Sequence, residues 1–151
     1  MGFSLHFQRI KNGEEAVADR DGFYQFLTKK ELTLEGELLT DKNGKPLEFD
    51  GSFTDLYITQ EDELSAYLGH ATLSYTECDF IFEMSVAANW LIINPQGDPT
   101  FIITNNNHQP EDIPEDFEND FVFVQNSKEL QLALSKGFSD FQDYLKSVLK
   151  S

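Results

Sequence analysis

The first residues of the chain alternate between apolar and polar side chains. Phe3, Leu5 and Phe7 are each separated by one polar residue. A period of two places the apolar side chains on one face of a strand, so the pattern predicts a half-buried β-strand at the start of the fold. The following Lys11-Asn12-Gly13 is typical of a tight turn and ends this strand.

Helical spacing predicts two further elements in the first ninety residues. Three apolar residues recur three and four apart between residues 19 and 30, which predicts a short helix with Asp19 as its N-cap. A similar stripe predicts a helix over residues 76–89. Residues 60–68 are predicted as a short helix and residues 71–75 as a strand.

Turn residues between β-rich runs predict two hairpins. The first lies within residues 32–53, around the dipeptide Asn43-Gly44, which accepts the positive φ angles of a hairpin turn. The second joins Trp90–Ile93 to Thr100–Thr104 through the segment Asn94–Pro99, which is crowded with turn residues.

The last third of the chain predicts a loop, a strand and two helices. Residues 105–120 are polar and contain two prolines, which is typical of a long surface loop, and residues 121–124 are predicted as a strand. Asn126 is placed to cap a helix that ends near Gly137, and an amphipathic last helix is predicted from Ser139 onward.

Together these elements predict an α+β fold with a largely antiparallel sheet, helices packed on it and a C-terminal helix pair, because strands and helices are mixed without regular βαβ alternation. With 151 residues, 40% of them hydrophobic, the chain can bury the core of a single globular domain spanning residues 1–151. One cysteine, no signal peptide and no long apolar run indicate a cytoplasmic protein.

Charge is distributed unevenly along the sequence. The formal net charge is −16, from 27 Asp and Glu against 11 Lys and Arg. None of the cationic residues lies between residues 46 and 127, a stretch that holds sixteen of the acidic ones. The rest of the chain is balanced. Such an excess disfavours direct binding to nucleic acid or to a membrane surface and favours a basic partner.

The densest acidic segment lies in the predicted loop, where six of the ten residues from 111 to 120 are acidic and two apolar residues stand among them. Carboxylates speed the encounter with a cationic protein, and apolar side chains can hold it afterwards. The candidate partner-binding residues are therefore Glu111, Asp112, Ile113, Glu115, Asp116, Phe117, Glu118 and Asp120. The alternative is a solvated loop whose two apolar residues pack back into the core.

Catalytic and metal chemistry find little support in the sequence. Cys78, His70 and Asp79 are the residue types of a thiol nucleophile, its base and an orienting acid. Acidic neighbours on both sides of Cys78 would raise the pKa of its thiol, however, and no oxyanion-hole motif accompanies it. The three histidines have no metal-ligand spacing. We expect no catalytic residue, no metal and no other cofactor.

Over its whole length the chain resembles the bacterial immunity proteins that protect cells from polymorphic or contact-dependent toxins. The resemblance rests on size, acidity, cytosolic character, the mixed α+β pattern and the missing catalytic signature. It implies a protein that neutralises a basic toxin, such as a nuclease, by covering its active site, and it assigns no role to individual residues.

We therefore expect an acidic protein-binding module, not an enzyme, whose partner is a basic protein. Two alternatives stay open. One is a small cytosolic enzyme or ligand-binding protein whose site is assembled from distant segments. The other is an acidic nucleic-acid mimic, which would need its carboxylates spaced along an extended ridge.

Overall fold

A computed structural model of the chain describes residues 3–61, 63–97, 99–117 and 120–134. In chain order its strands are β1 (Phe3–Lys11), β2 (Glu14–Ala16), β3 (Thr33–Glu35), β4 (Leu38–Thr40), β5 (Glu48–Phe49), β6 (Ser52–Phe53), β7 (Asp55–Thr59), β8 (Ser65–Ala71), β9 (Leu91–Ile93), β10 (Phe101–Thr104) and β11 (Phe121–Val124). The helices are α1 (Arg20–Lys29), α2 (Tyr75–Ala88) and α3 (residues 127–134).

The central sheet has the strand order β11-β10-β9-β1-β8-β7, and β2 pairs with the end of β1. Its neighbouring strands are antiparallel except β10 and β11, which run parallel. The predicted α+β fold with a largely antiparallel sheet is therefore confirmed. The parallel pair is possible because residues 105–120 form a connection long enough to return to the starting end of the sheet.

One face of the sheet packs against the helices and encloses the main core. Leu5 and Phe7 of β1 are fully buried there, as the alternating pattern predicts. The indole of Trp90 is also fully buried, with ring centroids 5.9 Å from Phe7 and 5.2 Å from Phe23. Its Nε1–H donates to the carbonyl of Leu64 at 2.9 Å, so the one polar atom of this side chain is satisfied.

The predicted helices at residues 19–30 and 76–89 are confirmed as α1 and α2. Oδ1 of Asp19 accepts the backbone N–H of Gly22 at 2.9 Å, which is the expected N-cap bond. Ser74 caps α2 in the same way. The two helices approach closely at Gly22, where a Cβ atom would collide with the carbonyl oxygen of Ala87.

Two predictions in the middle of the chain are wrong. Residues 65–71 form β8 and not a helix, because this segment pairs with β1 on one side and with β7 on the other. In this position the side chains of Ala66 and Leu68 are buried in the main core. The predicted strand over residues 71–75 does not form either. β8 ends at Ala71, and α2 has begun by Tyr75.

The predicted hairpin around Asn43-Gly44 forms only as a turn. Oδ1 of Asp41 accepts the backbone N–H of Asn43 at 2.8 Å, and a single bridge joins Thr40 to Pro46. The flanking strands pair locally instead, β3 with β4 and β5 with β6, and so make two short hairpins. By contrast, the predicted hairpin of β9 and β10 is confirmed.

The last helix of the described residues begins as predicted. Oδ1 of Asn126 accepts the backbone N–H of Glu129 at 2.9 Å, so Asn126 caps α3. Leu130 and Leu134 of α3 join the main core. The predicted helix end at Gly137 and the final amphipathic helix lie outside the described residues.

Candidate functional site

The predicted acidic loop between β10 and β11 docks on the face of the sheet that is opposite the helices. Ile113 is only 5% exposed. It belongs to a second hydrophobic cluster, formed with Ile10, Leu91, Phe101 and Ile103. The side chain of Ile113 therefore holds the loop to the sheet and is not part of the exposed surface. For this residue the structure agrees with the alternative interpretation, in which the apolar side chains of the loop pack back into the protein.

Asp112 ties this loop to the turn between β1 and β2. Its Oδ2 accepts the backbone N–H of Gln109 at 2.9 Å, which closes the short helical turn Pro110–Asp112. Its Oδ1 accepts the backbone N–H of Asn12 at 3.2 Å, and its carbonyl accepts that of Gly13 at 3.0 Å. The Asp112 carboxylate is thus a structural anchor, because both of its oxygens accept hydrogen bonds from the backbone.

His108 forms a second anchor under the loop. Its Nε2 accepts the backbone N–H of Ile10 at 3.2 Å, and its Nδ1 lies 2.8 Å from Oδ1 of Asn107. This pairing requires a neutral ring, with the hydrogen on Nδ1 donated to the amide oxygen. Burial lowers the pKa of His108 from 6.5 to about 4; the Asp112 carboxylate opposes that shift, and the charge of Arg9 adds to it.

The carboxylates that stay exposed on the docked loop are Glu111, Glu115 and Asp116. Glu15 of β2 is exposed on the same face of the sheet, because it pairs across the hairpin with Ile10 of the same cluster, and the turn residue Gly13 hydrogen-bonds to the loop. We call these four residues the acidic rim. Sequence reasoning missed Glu15 because it lies outside the cation-free stretch, and only the pairing of β1 with β2 brings it here.

Asp120 ends the loop and is used for its attachment to β10. It accepts the backbone N–H of Thr100 at 2.9 Å and also the hydroxyl of the same residue. Glu118 and the side chain of Phe117 lie outside the described part of the structure. Of the eight predicted partner-binding residues, the structure therefore places three on the exposed surface and three in structural contacts.

Other acidic residues of the cation-free stretch are also used inside the fold. Glu77 is only 2% exposed and accepts the backbone N–H groups of Thr72 and Leu73 at 2.9 and 3.0 Å, and burial raises its pKa. Glu83 forms a salt bridge with Lys30, with 3.1 Å between Oε2 and Nζ. The carboxylates of this stretch thus do not all contribute to one external field.

A separate exposed group lies on the helix-covered side. Glu48 and Asp50 are exposed on the small hairpin of β5 and β6, where Phe49 packs on Phe80 of α2 with ring centroids 5.2 Å apart. Because the acidic rim lies on the opposite face of the sheet, the sixteen central acids do not form one docking face. Glu111, Glu115 and Asp116 are the members of that excess that the docked loop holds exposed on the face without helices.

The residue types of a thiol site do not come together as a nucleophile and base. Cys78 is fully buried in the core, where burial and the neighbouring Glu77 raise the pKa of its thiol to about 12. His70 is on the surface, with Nδ1 2.6 Å from Oδ2 of Asp55. This geometry gives Cys78 the properties of a packing residue.

The described residues contain neither a metal-binding cluster nor a membrane-spanning helix. Among them, no three His, Cys, Asp or Glu side chains are grouped as they would be to hold a metal ion. Nor does any helix there have the length and apolar character needed to cross a membrane. In comparisons with known proteins, the chain matches no family model, no curated protein and no solved structure.

Proposed function

We propose that this chain is an acidic protein-binding module that neutralises a basic partner, in the manner of the immunity proteins it resembles. The observation that carries the proposal is the acidic rim, Glu15, Glu111, Glu115 and Asp116, which is held by buried anchors on the face of the sheet without helices. A fixed group of carboxylates on a chain of net charge −16 steers a cationic protein toward this face.

The anchoring of the loop supports a binding role. Docking buries Ile113 and satisfies polar groups of His108 and Asp112, so the rim is ordered before a partner arrives. A preorganised surface loses less conformational entropy on association than a flexible acidic segment does. The expected partner is a basic toxin, such as a nuclease, whose active site the module covers.

The structure favours neither of the two alternatives. A nucleic-acid mimic needs carboxylates along an extended ridge, whereas the exposed groups among the described residues lie on opposite faces. A small enzyme or ligand-binding protein needs a site assembled from distant segments, but Cys78 and His108 are buried, and His70 lies on the surface against Asp55.

The test compares capture by two charge-reversed variants of identical net charge. Immobilised wild-type protein, Glu115→Lys/Asp116→Lys and the control Glu48→Lys/Asp50→Lys are exposed at low salt to extract of the source cell. We expect one cationic protein to bind the wild type and the control but not the rim variant. We also expect the module, at equimolar amount, to abolish the toxic activity of that protein.

Equal capture by the rim variant would overturn the assignment of the surface. A captured partner that is acidic, or one whose activity persists under saturating module, would overturn the neutralising function. Because both variants change the net charge by the same amount, a difference between them reports the position of the charges and not their sum.

A further inference from the structure

The half of the sheet that the loop leaves uncovered carries a row of aromatic side chains. His6 of β1 is paired in register with Tyr67 of β8, which is paired in register with Tyr57 of β7. The rings of His6 and Tyr67 have centroids 4.9 Å apart and are tilted by 54°. We call His6, Tyr67 and Tyr57 the aromatic row; it crosses three adjacent strands.

The row is exposed although aromatic residues are usually covered. Tyr57 is 39% and Tyr67 40% exposed, and His6 is exposed as well. Tyr67 lies over Gly69, where a Cβ atom would come within 3.3 Å of Cε1 of the tyrosine ring. Gly69 therefore gives this ring room to lie along the sheet, so that part of its face stays open to solvent.

Carboxylates flank the row at both ends. Asp55 of β7 lies at one end, with its Oδ2 bound to His70. At the other end a shallow groove of about 310 Å³ contains Glu15 of the acidic rim together with Ser65 and Ile93. No Lys or Arg is among the described residues that line this groove or form the row.

Aromatic faces between carboxylates suit one kind of cation. A guanidinium group is planar and weakly hydrated, so it stacks on aromatic rings while its N–H groups reach carboxylates. A lysine ammonium is a compact, strongly hydrated charge that gains less from the same rings. The carboxylates at both ends repel the phosphates of a nucleic acid, and the net charge of −16 disfavours a second copy of this chain.

We propose that the aromatic row binds arginine side chains of the cationic partner, which the acidic rim has steered to this face. This inference rests on the proposed function and specifies the chemistry of the partner surface. The rim supplies attraction to any basic protein, whereas the row selects arginine over lysine.

The test measures the affinities of nona-arginine and nona-lysine peptides by calorimetry at low salt. The wild type is expected to bind nona-arginine more tightly. Tyr57→Ala/Tyr67→Ala is expected to lose about 5- to 30-fold of its affinity for nona-arginine, the value of two exposed cation–π contacts, and less of its affinity for nona-lysine, so that the preference falls. The control Tyr75→Ala, which removes a 56% exposed tyrosine at the start of α2, should keep the full preference.

Tyr57→Phe/Tyr67→Phe retains both rings and should also keep the preference, which guards against a loss caused by misfolding of the alanine variant. Equal affinity of the wild type for the two peptides, or an unchanged ratio in the alanine variant, would overturn the inference. So would binding of an oligothymidylate, or self-association, that is lost with the same two tyrosines.

Failure of this inference is distinguishable from failure of the proposed function. Glu115→Lys/Asp116→Lys should weaken binding of both peptides alike and leave their ratio unchanged. If that variant binds both peptides as well as the wild type does, the steering role of the rim is contradicted whatever the tyrosines do.

Discussion

His108 gives the docked acidic loop a defined response to acid. In the folded protein its ring must stay neutral, because Nε2 accepts the backbone N–H of Ile10. Its pKa is about 4 when folded and 6.5 as a free side chain. Between these two values the unfolded chain binds the extra proton, so His108 makes the protein less stable as the pH falls from 6.5 toward 4.

The size of this effect follows from the two pKa values. The linkage relation gives a loss of about 2 kcal/mol between pH 7 and pH 5 and of about 3 kcal/mol by pH 4, and the loss levels off below that pH as the folded protein also becomes protonated. His108→Gln keeps an amide oxygen that can accept a hydrogen bond but removes the titration. We therefore expect the free energy of unfolding of the wild type, relative to that of this variant, to fall by about 2 kcal/mol between pH 7 and pH 5.

Urea unfolding of the two proteins at pH 7, 6 and 5 measures this difference. The comparison cancels the titration of the carboxylates, since both proteins contain the same ones. If the stabilities of the wild type and of His108→Gln decline in parallel, the neutral ring of His108 is not the source of the acid response.

Three further changes test other parts of the structure. Asp112→Ala removes the carboxylate that closes the turn of the loop and holds the turn between β1 and β2. It should lower the free energy of unfolding in urea titrations by about 1–2 kcal/mol, and an unchanged midpoint would contradict the anchoring role. Gly22→Ala would favour an isolated helix, but it should lower the melting temperature here because the new Cβ meets the Ala87 carbonyl; a raised melting temperature would contradict the close packing of the helices. The Cys78 thiol, with its pKa near 12, should fail to react with a disulfide reagent at pH 8 until the protein is unfolded, and rapid native-state labelling would show that it is accessible.

Local patterns predicted the elements whose signals lie within a few residues. The alternation of Phe3, Leu5 and Phe7 and the caps at Asp19 and Asn126 are such signals, and the structure confirms each of them. The segment from Ser65 to Ala71 was predicted incorrectly because its strand is imposed by two neighbours distant in sequence.

Of the candidate partner-binding site, only the concentration of negative charge was predictable from the sequence. The cation-free stretch pointed to residues 111–120, but the sequence did not show that Asp112 and Asp120 are used as hydrogen-bond acceptors within the fold. Glu15 joins the rim through strand pairing, and the aromatic row forms across three strands. Both depend on contacts that no local spacing encodes.

Stopped-flow association rates with the captured protein, at increasing ionic strength, measure whether the acidic rim steers a cationic partner. The wild type and Glu48→Lys/Asp50→Lys should associate rapidly at low salt and slow steeply as salt is added. Glu115→Lys/Asp116→Lys should associate about tenfold more slowly at low salt, with a weaker salt dependence. Association rates that do not vary with ionic strength, or that fall equally in both variants, would show that the rim does not steer the partner.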